Sequence, residues 1–246
     1  MSAWLASVVD AAEARLALDA GASIVDAKNP LRGALGDLPH AAVRAIVAAV
    51  DGRAPVSATV GDFPDMPPDA VRAAVAAMAE TGVDFVKLGC FPAASLHACL
   101  DALAPLAARH ALVAVLFADR DPDFALLPRL AAWGFRGVML DTADKTGGGL
   151  TRRQSPAQLA AFVAQARRHG LFSGLAGSLR LADIPALAAL EPDYLGFRGA
   201  LCGGHARTAA LDAEALAAVS RAMRRHRRPR AAAPVFHPST ARARAS

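Results

Sequence analysis

The stretch PPDAVRAAVAAMAETGVDFVKLG, residues 67–89, contains the repeating unit that decides the fold. Two prolines precede an Ala-rich helical pattern, and Gly82 follows it in a position typical of a helix C-terminus. The short apolar run FVKLG then has the length and composition of a buried strand. Similar alternations of strand and helix occur along the chain, and this order is typical of parallel strands joined by crossover helices.

Eight such units of roughly 25–30 residues predict an α/β fold, a closed (β/α)8 TIM barrel. The expected strands are 4–9, 23–28, 56–62, 85–89, 112–119, 137–142, 172–178 and 194–202. The expected helices are 11–20, 40–51, 68–80, 93–109, 122–133, 155–169, 183–190 and 211–224. The alternative, an open doubly wound sheet, commonly carries a GxGxxG or P-loop motif, and neither occurs in this chain.

The charge distribution separates the barrel from a C-terminal tail. The net charge is +5, but residues 221–246 hold eight arginines and no acidic residue, which leaves residues 1–220 at −3. We therefore predict a barrel domain over residues 1–224 and a disordered Arg-rich tail over 225–246. The basic run lacks interleaved aromatic residues, so we do not expect nucleic-acid binding, although a nucleic-acid-associated protein remains the non-enzymatic alternative.

Composition indicates an ordinary globular protein. Hydrophobic residues make up 54% of the chain, yet no apolar run reaches the ~18 residues of a membrane span. The N-terminus lacks the features of a signal peptide, so we expect a cytoplasmic protein without a membrane partner. Three cysteines without metal-type spacing are expected to be reduced thiols. The sequence predicts neither a metal site nor a cofactor.

Lysine is rare beside arginine, at three residues against 24. A lysine in such a chain marks a position where guanidinium cannot substitute, because only the amine readily loses its proton and acts as base or nucleophile. The three residues are Lys28, Lys87 and Lys145.

All three lysines fall at or just beyond predicted strand ends, where barrel enzymes place their catalytic groups. Asp26 and Lys28 lie two residues apart on the second strand, so both face the barrel interior. Lys87 lies in an apolar run, which lowers its pKa. Asp141 ends the sixth strand, and Lys145 follows four residues later. A surface salt bridge such as Lys28 with Asp26 is the structural alternative, but the convergence of these groups favours a lysine imine with a carbonyl substrate.

The ends of the last two strands predict a phosphate-binding site. The loops after strands seven and eight form the usual phosphate site of such barrels, because glycines allow backbone N–H groups to approach the anion. The candidates here are Gly177, Ser178, Arg198 and Gly199, with Arg198 as a direct charge. The alternative is that the glycines only form tight turns. Asp62, Asp119 and His205 are weaker candidates near the same mouth.

The motifs IVDAKNPLRGALG, VSATVGD, FVKLG, MLDTADK, LAGSL and GFRGALC resemble, in order and spacing, those of the (5-formylfuran-3-yl)methyl phosphate synthase family. The resemblance covers roughly residues 4–220. It implies that two molecules of glyceraldehyde 3-phosphate condense to a furan aldehyde phosphate, with loss of phosphate and water, in the biosynthesis of methanofuran or a related one-carbon carrier.

The resemblance also implies residue roles. Lys28 would form the Schiff base and Lys87 would accept a proton, while Asp26, Asp141 and Lys145 would complete the catalytic set. On pKa alone, Lys87 is the slightly better imine-forming candidate. Another class I aldolase or isomerase of triose phosphates is the alternative enzyme. Either enzyme has a small triose phosphate as its partner, and a homo-oligomer remains open.

Overall fold

The structure is a computed structural model that describes residues 2–144 and 147–226. Its strands form one closed sheet in the order of the sequence. They are Ala3–Val8 (β1), Ile24–Ala27 (β2), Val56–Thr59 (β3), Phe85–Cys90 (β4), Ala111–Phe117 (β5), Gly137–Asp141 (β6), Phe172–Leu175 (β7) and Tyr194–Phe197 (β8). Every neighbouring pair is parallel, and β1 pairs with both β2 and β8, which closes the barrel. The predicted TIM barrel is confirmed.

Helices lie between the strands along the described chain. They are Ala11–Asp19 (α1), His40–Val50 (α2), Pro68–Ala79 (α3), Leu96–Ala107 (α4), Leu126–Ala132 (α5), Leu150–Arg153 (α6), Pro156–Arg168 (α7), Ile184–Ala189 (α8) and Ala213–Arg225 (α9). Their starts follow local chemistry, since Ser155 and Gln158 form a capping box at α7 and Asp212 caps α9. No helix within these residues is long and apolar enough to cross a membrane.

The last helix extends one residue beyond the predicted domain boundary at 224. Residues 227–246, which contain most of the predicted tail, lie outside the described residues, so their disorder stays a prediction.

Three strands (β3, β7 and β8) end at least three residues earlier than predicted because their last residues turn out of the sheet. Gly61 after β3 and Gly177 after β7 have φ values of +94° and +108°, which are incompatible with an extended strand. A short 3-10 helix, Gly199–Leu201, follows β8. The residues after these shorter strands form the start of the loops around the C-terminal mouth of the barrel.

The lower half of the barrel interior is apolar and aromatic. The rings of Phe85 and Phe172 meet edge to face with centroids 6.5 Å apart. The ring of Tyr194 fills the space beside Gly174, where an added Cβ would lie 2.3 Å from the Tyr194 Cζ atom. This apolar layer lies below the polar side chains, and a small cavity of about 20 Å³ between them is lined by Phe85, Tyr194 and Lys87.

Candidate active site

Two lysine–carboxylate pairs face the mouth of the barrel. Lys87 Nζ on β4 lies 2.7 Å from Asp26 Oδ1 on β2, and both side chains are almost wholly buried. Lys28 Nζ, one residue beyond β2, lies 3.5 Å from Asp141 Oδ2 on β6. The structure therefore brings together four of the five predicted catalytic residues. Lys145 lies outside the described residues.

The pairing differs from the one suggested by the sequence, where Asp26 was the obvious partner for Lys28. Alternate residues of one strand share a face but are spaced along it, by roughly 6–7 Å. Inward side chains of different strands meet at similar heights in the barrel, so Asp26 contacts Lys87 and Lys28 contacts Asp141. Each ammonium thus has a separate carboxylate.

Asp26 is held in place by two hydroxyl groups in addition to Lys87. Ser57 Oγ donates to Asp26 Oδ1 at 2.6 Å, and Ser7 Oγ donates to Oδ2 at 2.9 Å. Ser57 belongs to the motif VSATVGD on the predicted third strand. Ser7 was missed, although it is the polar residue near the end of an apolar first strand. These contacts fix the orientation of the carboxylate towards Lys87.

The environment of Lys87 favours the neutral amine. Burial lowers its pKa from the ordinary value of 10.5, and the neighbouring Lys28 charge lowers it further. Asp26 and Asp141 act in the opposite direction, but burial is the largest influence. The lowered pKa agrees with the expectation from the apolar strand and makes the Lys87 amine available as a base.

Two further aspartates hold the loops of the mouth. Asp62 accepts hydrogen bonds from the backbone N–H groups of Ala34 and Leu35, in the loop after β2. Asp119 does the same for Ala143 and Asp144, in the loop after β6. Both carboxylates therefore position the loops that follow Lys28 and Asp141, and they act outside the cavity.

The loops after β7 and β8 contain backbone N–H groups that have no hydrogen-bond acceptor in the described part of the chain. The N–H groups of Gly177, Ser178, Gly199 and Ala200 donate to no acceptor within the described residues, and all four residues line the mouth cavity. Glycine is required at 177, because its φ is +108° and an added Cβ would lie 2.9 Å from Thr142 Cγ2. We call these four N–H groups the backbone cup, and they suit an anion.

Arg198 differs from the sequence expectation. Its Nε and Nη groups donate to Glu13 and to the backbone carbonyls of Ser7, Arg207 and Ala209, so all its donors have protein acceptors. This geometry opposes a direct phosphate contact. Arg198 instead ties β1, α1 and the loop after β8 together. Glu13 was not recognised from the sequence, because an acidic residue in a first helical turn normally serves the helix end.

Arg207 is the cation that sequence reasoning missed. It lines the cavity, and its Nη2 donates to the Gly33 carbonyl at 3.1 Å, which joins the loop after β8 to the loop after β2. Burial lowers its pKa, whereas the Asp141 carboxylate acts against this shift. The only sequence signal was its place beyond the glycine pair 203–204.

The cavity enclosed by these groups has a volume of about 190 Å³. Sites for drug-sized ligands are larger, roughly 300–1,000 Å³, so this one suits a small metabolite. Asp26, Lys28, Lys87 and Asp141 line it from β2, β4 and β6, and the backbone cup lines it from the loops after β7 and β8. The described residues contain no group of three or more His, Cys, Asp or Glu placed to hold a metal ion.

The cysteines lie in the core as free thiols. Burial raises the pKa of Cys90 to about 12 and that of Cys99 to about 11, so both stay protonated and poorly nucleophilic at neutral pH.

Comparison with known proteins identifies the relatives of this chain. A family model described as 4-HFC-P synthase matches residues 4–220. A Methylorubrum extorquens protein with the provisional name (5-formylfuran-3-yl)methyl phosphate synthase is 50% identical over 89% of this chain and 91% of its own. The synthase of the same name from Methanosarcina acetivorans is 36% identical over 83% of this chain and 92% of its own.

Solved structures give a fold likeness alone. Phosphoribosyl anthranilate isomerase from Thermus thermophilus superposes with a TM-score of 0.65 at 18% identity, covering 92% of this chain and 100% of the isomerase.

Proposed function

Because the chain belongs to the (5-formylfuran-3-yl)methyl phosphate synthase family, we propose that it condenses two molecules of glyceraldehyde 3-phosphate through a lysine imine. The product is (5-formylfuran-3-yl)methyl phosphate, and atom balance requires the loss of one inorganic phosphate and two water molecules. The observation that carries the proposal is the presence of two lysines, each with its own carboxylate, on one small cavity.

Lys28 is the imine-forming residue in this proposal. Its amine lines the cavity, and Asp141 is close enough to exchange protons with it. The amine attacks the aldehyde carbon of the first substrate to form a carbinolamine, and protonation of the hydroxyl releases water and leaves the iminium ion. Asp141 accepts the ammonium proton at the start and supports the proton transfer that releases water.

Lys87 is the base in this proposal. Its lowered pKa supports the removal of a proton from the carbon next to the iminium. The electron pair released there flows into the iminium and gives an enamine. That enamine carbon can attack the aldehyde of the second molecule or expel the neighbouring phosphate. Asp26 stabilises the proton that Lys87 receives, because its Oδ1 is 2.7 Å from the amine.

The backbone cup binds a substrate phosphate in this proposal. Its four N–H groups have no acceptor in the part of the chain that the structure describes, and their residues line the same cavity as the two lysines. Gly199 and Ala200 follow Arg198 directly, so the ion pair of Arg198 with Glu13 positions two of the four donors. Arg198 is therefore a positioning residue, and the anion is bound by backbone dipoles.

Incubation with glyceraldehyde 3-phosphate tests the proposal. The purified protein should form a product with the mass of the furan aldehyde phosphate and the absorbance of a conjugated aldehyde, together with equimolar inorganic phosphate. The Lys28→Arg variant should form neither, because guanidinium cannot form an imine. A triose isomer or an aldol adduct as the sole product would instead identify another class I aldolase or isomerase.

Removal of residues 227–246 distinguishes the non-enzymatic alternative. A protein that acts through its basic tail would lose its activity with the tail, whereas furan formation should remain within about twofold of the full chain.

A further inference from the structure

The proposed reaction uses two phosphorylated molecules, and the backbone cup accounts for one phosphate. Both molecules must lie in the cavity together for the carbon–carbon bond to form. The phosphate that is not in the cup then needs a cation or a second set of donors. The mouth of the barrel supplies a cation from the loop after β8.

The side chain of Arg207 extends from the loop after β8 to the loop after β2, at the mouth of the barrel. Its backbone lies beside Gly199, since a Cβ added to that glycine would be 3.9 Å from the Arg207 nitrogen. Its guanidinium donates to the Gly33 carbonyl in the loop after β2. The carboxylates of Asp141 and Asp62, which act to raise its pKa, belong to opposite sides of the barrel. The head group therefore lies over the cavity.

Arg207 also has N–H groups that donate to no acceptor among the described residues. Arg198 places all its N–H groups on protein acceptors, whereas Arg207 makes the single side-chain bond to Gly33 within residues 2–144 and 147–226. No carboxylate in this part of the chain forms an ion pair with Arg207, although Asp141 and Asp62 are near enough to influence its pKa. A half-buried guanidinium with free donors can bind a phosphate in bidentate geometry.

The pairing of charges at the cavity favours an anion near Arg207. Lys87 is paired with Asp26, Lys28 with Asp141, and Arg198 with Glu13, so each of these cations has its own carboxylate. Arg207 has no ion-pair partner among the described residues, so its charge is available to a bound anion. Arg180 also lines the cavity but is exposed to solvent, where a charge interaction is weaker.

We propose that Arg207 binds the phosphate of the second triose phosphate, so that the mouth holds two phosphate monoesters, one on the backbone cup and one on Arg207. This assignment rests on the proposed function. It places the second molecule on the β2 side of the mouth, next to Lys28, where its aldehyde can meet the carbon activated on the first.

Binding of inorganic phosphate tests the site without requiring turnover. Titration calorimetry should give two phosphate ions per chain for the parent protein and one for the Arg207→Gln variant. Arg207→Lys keeps the charge and should restore a second, weaker ion. The matched control is Arg32→Gln, which removes an exposed guanidinium paired with Asp37 in the loop after β2. The control should keep both ions.

Kinetics separate the two substrate molecules. In Arg207→Gln, the substrate concentration for half-maximal borohydride trapping should stay within about twofold of the parent, because trapping requires the first molecule alone. The concentration for half-maximal furan formation should rise by roughly 10–100-fold, as expected for loss of a charge-assisted contact. Arg207→Lys should recover part of this loss.

The outcomes distinguish this inference from the proposed function. Equal phosphate counts in the parent and Arg207→Gln would overturn the second site, as would equal losses of trapping and furan formation. If the parent forms no furan but its phosphate count still drops from two to one in the variant, the proposed function fails and the Arg207 anion site stands.

Discussion

Lys87 and Asp26 form a 2.7 Å ion pair with only 2% and 1% of their side chains exposed. Two charges in such a place cost much desolvation free energy, so the pair is weak evidence for stability. Burial lowers the pKa of Lys87 and favours the neutral amine, whereas Asp26 raises that pKa and favours the ammonium. An amine balanced between these influences can accept and return a proton.

Asp26→Asn tests this balance in the reaction. The carboxylate raises the pKa of Lys87, so its removal lowers that pKa further and leaves the ammonium formed in the reaction without a counter-ion. We expect furan formation to fall by at least about 100-fold, within the usual range for a positioned proton-transfer group. Borohydride trapping on Lys28 should remain within about threefold.

The matched control is Asp69→Asn, an exposed aspartate at the start of α3, which should leave both readouts unchanged. Loss of trapping and turnover to the same degree in Asp26→Asn would contradict a role confined to Lys87.

The pH dependence of stability should report the burial of Lys87. Its pKa is below 10.5 in the folded protein and near 10.5 in the unfolded chain. Between these two values the unfolded state binds a proton that the folded state does not, so stability rises with pH across that window. Lys87→Met lacks this contribution.

The measurement is urea unfolding of the parent and Lys87→Met at about pH 7 and about pH 10, both below the ordinary pKa of a lysine. The free energy of unfolding of the parent should rise relative to the variant as pH increases. A difference that falls with pH would mean that Lys87 is held as the charged form.

Glu13 and Arg198 should behave as a structural pair. Their side chains are 8% and 9% exposed, so Glu13→Gln leaves a nearly buried guanidinium without its counter-ion. We expect a loss of about 3–5 kcal/mol in the free energy of unfolding, and Arg198→Met should lose a similar amount. The double variant Glu13→Met with Arg198→Met should lose less than the sum, since it leaves no unpaired charge.

The same Arg198→Met variant checks the correction to the sequence expectation. Because the Arg198–Glu13 pair positions two donors of the backbone cup, Arg198→Met and Glu13→Gln should raise the half-saturation concentration for trapping of glyceraldehyde 3-phosphate to a similar degree, and that of unphosphorylated glyceraldehyde less. A loss for the phosphorylated substrate in Arg198→Met alone would return Arg198 to the phosphate site.

Gly177→Ala should disrupt the backbone cup. The substitution places a side chain at φ +108° and 2.9 Å from Thr142 Cγ2, so the loop must shift. The expected cost is roughly 1–3 kcal/mol of stability, with weaker binding of inorganic phosphate measured by calorimetry. Gly203→Ala is the control, because nothing lies within 4 Å of its Cβ position. Phosphate binding that is unchanged in Gly177→Ala would place the anion elsewhere.

Much of this site could be predicted from residue spacing. Asp26 and Lys28 had to face the interior together because side chains alternate along a strand. Their partners could not be predicted, because whether Lys28 meets Asp26 or Asp141 depends on how strands β2, β4 and β6 are staggered around the barrel. That stagger is a property of the closed sheet and leaves no trace in local sequence.

The two arginines after β8 also have contacts that could not be predicted from local sequence. The sequence singled out Arg198 as the phosphate ligand and not Arg207, although both follow the eighth strand. What separates them is Glu13, which lies 185 residues before Arg198 and occupies its guanidinium. A contact of such long range becomes visible only when β1 and β8 are known to be neighbours.

Peptide mapping of the borohydride-trapped adduct tests the central claim, that Lys28 forms the imine, most directly. The parent protein is incubated with glyceraldehyde 3-phosphate and borohydride, digested and analysed by mass spectrometry. We predict a reduced substrate adduct on the peptide containing Lys28, its absence in Lys28→Arg and its persistence in Lys87→Arg, which should nevertheless make no furan. An adduct on Lys87 alone would reverse the two roles, and the absence of an adduct on any lysine would contradict the imine mechanism itself.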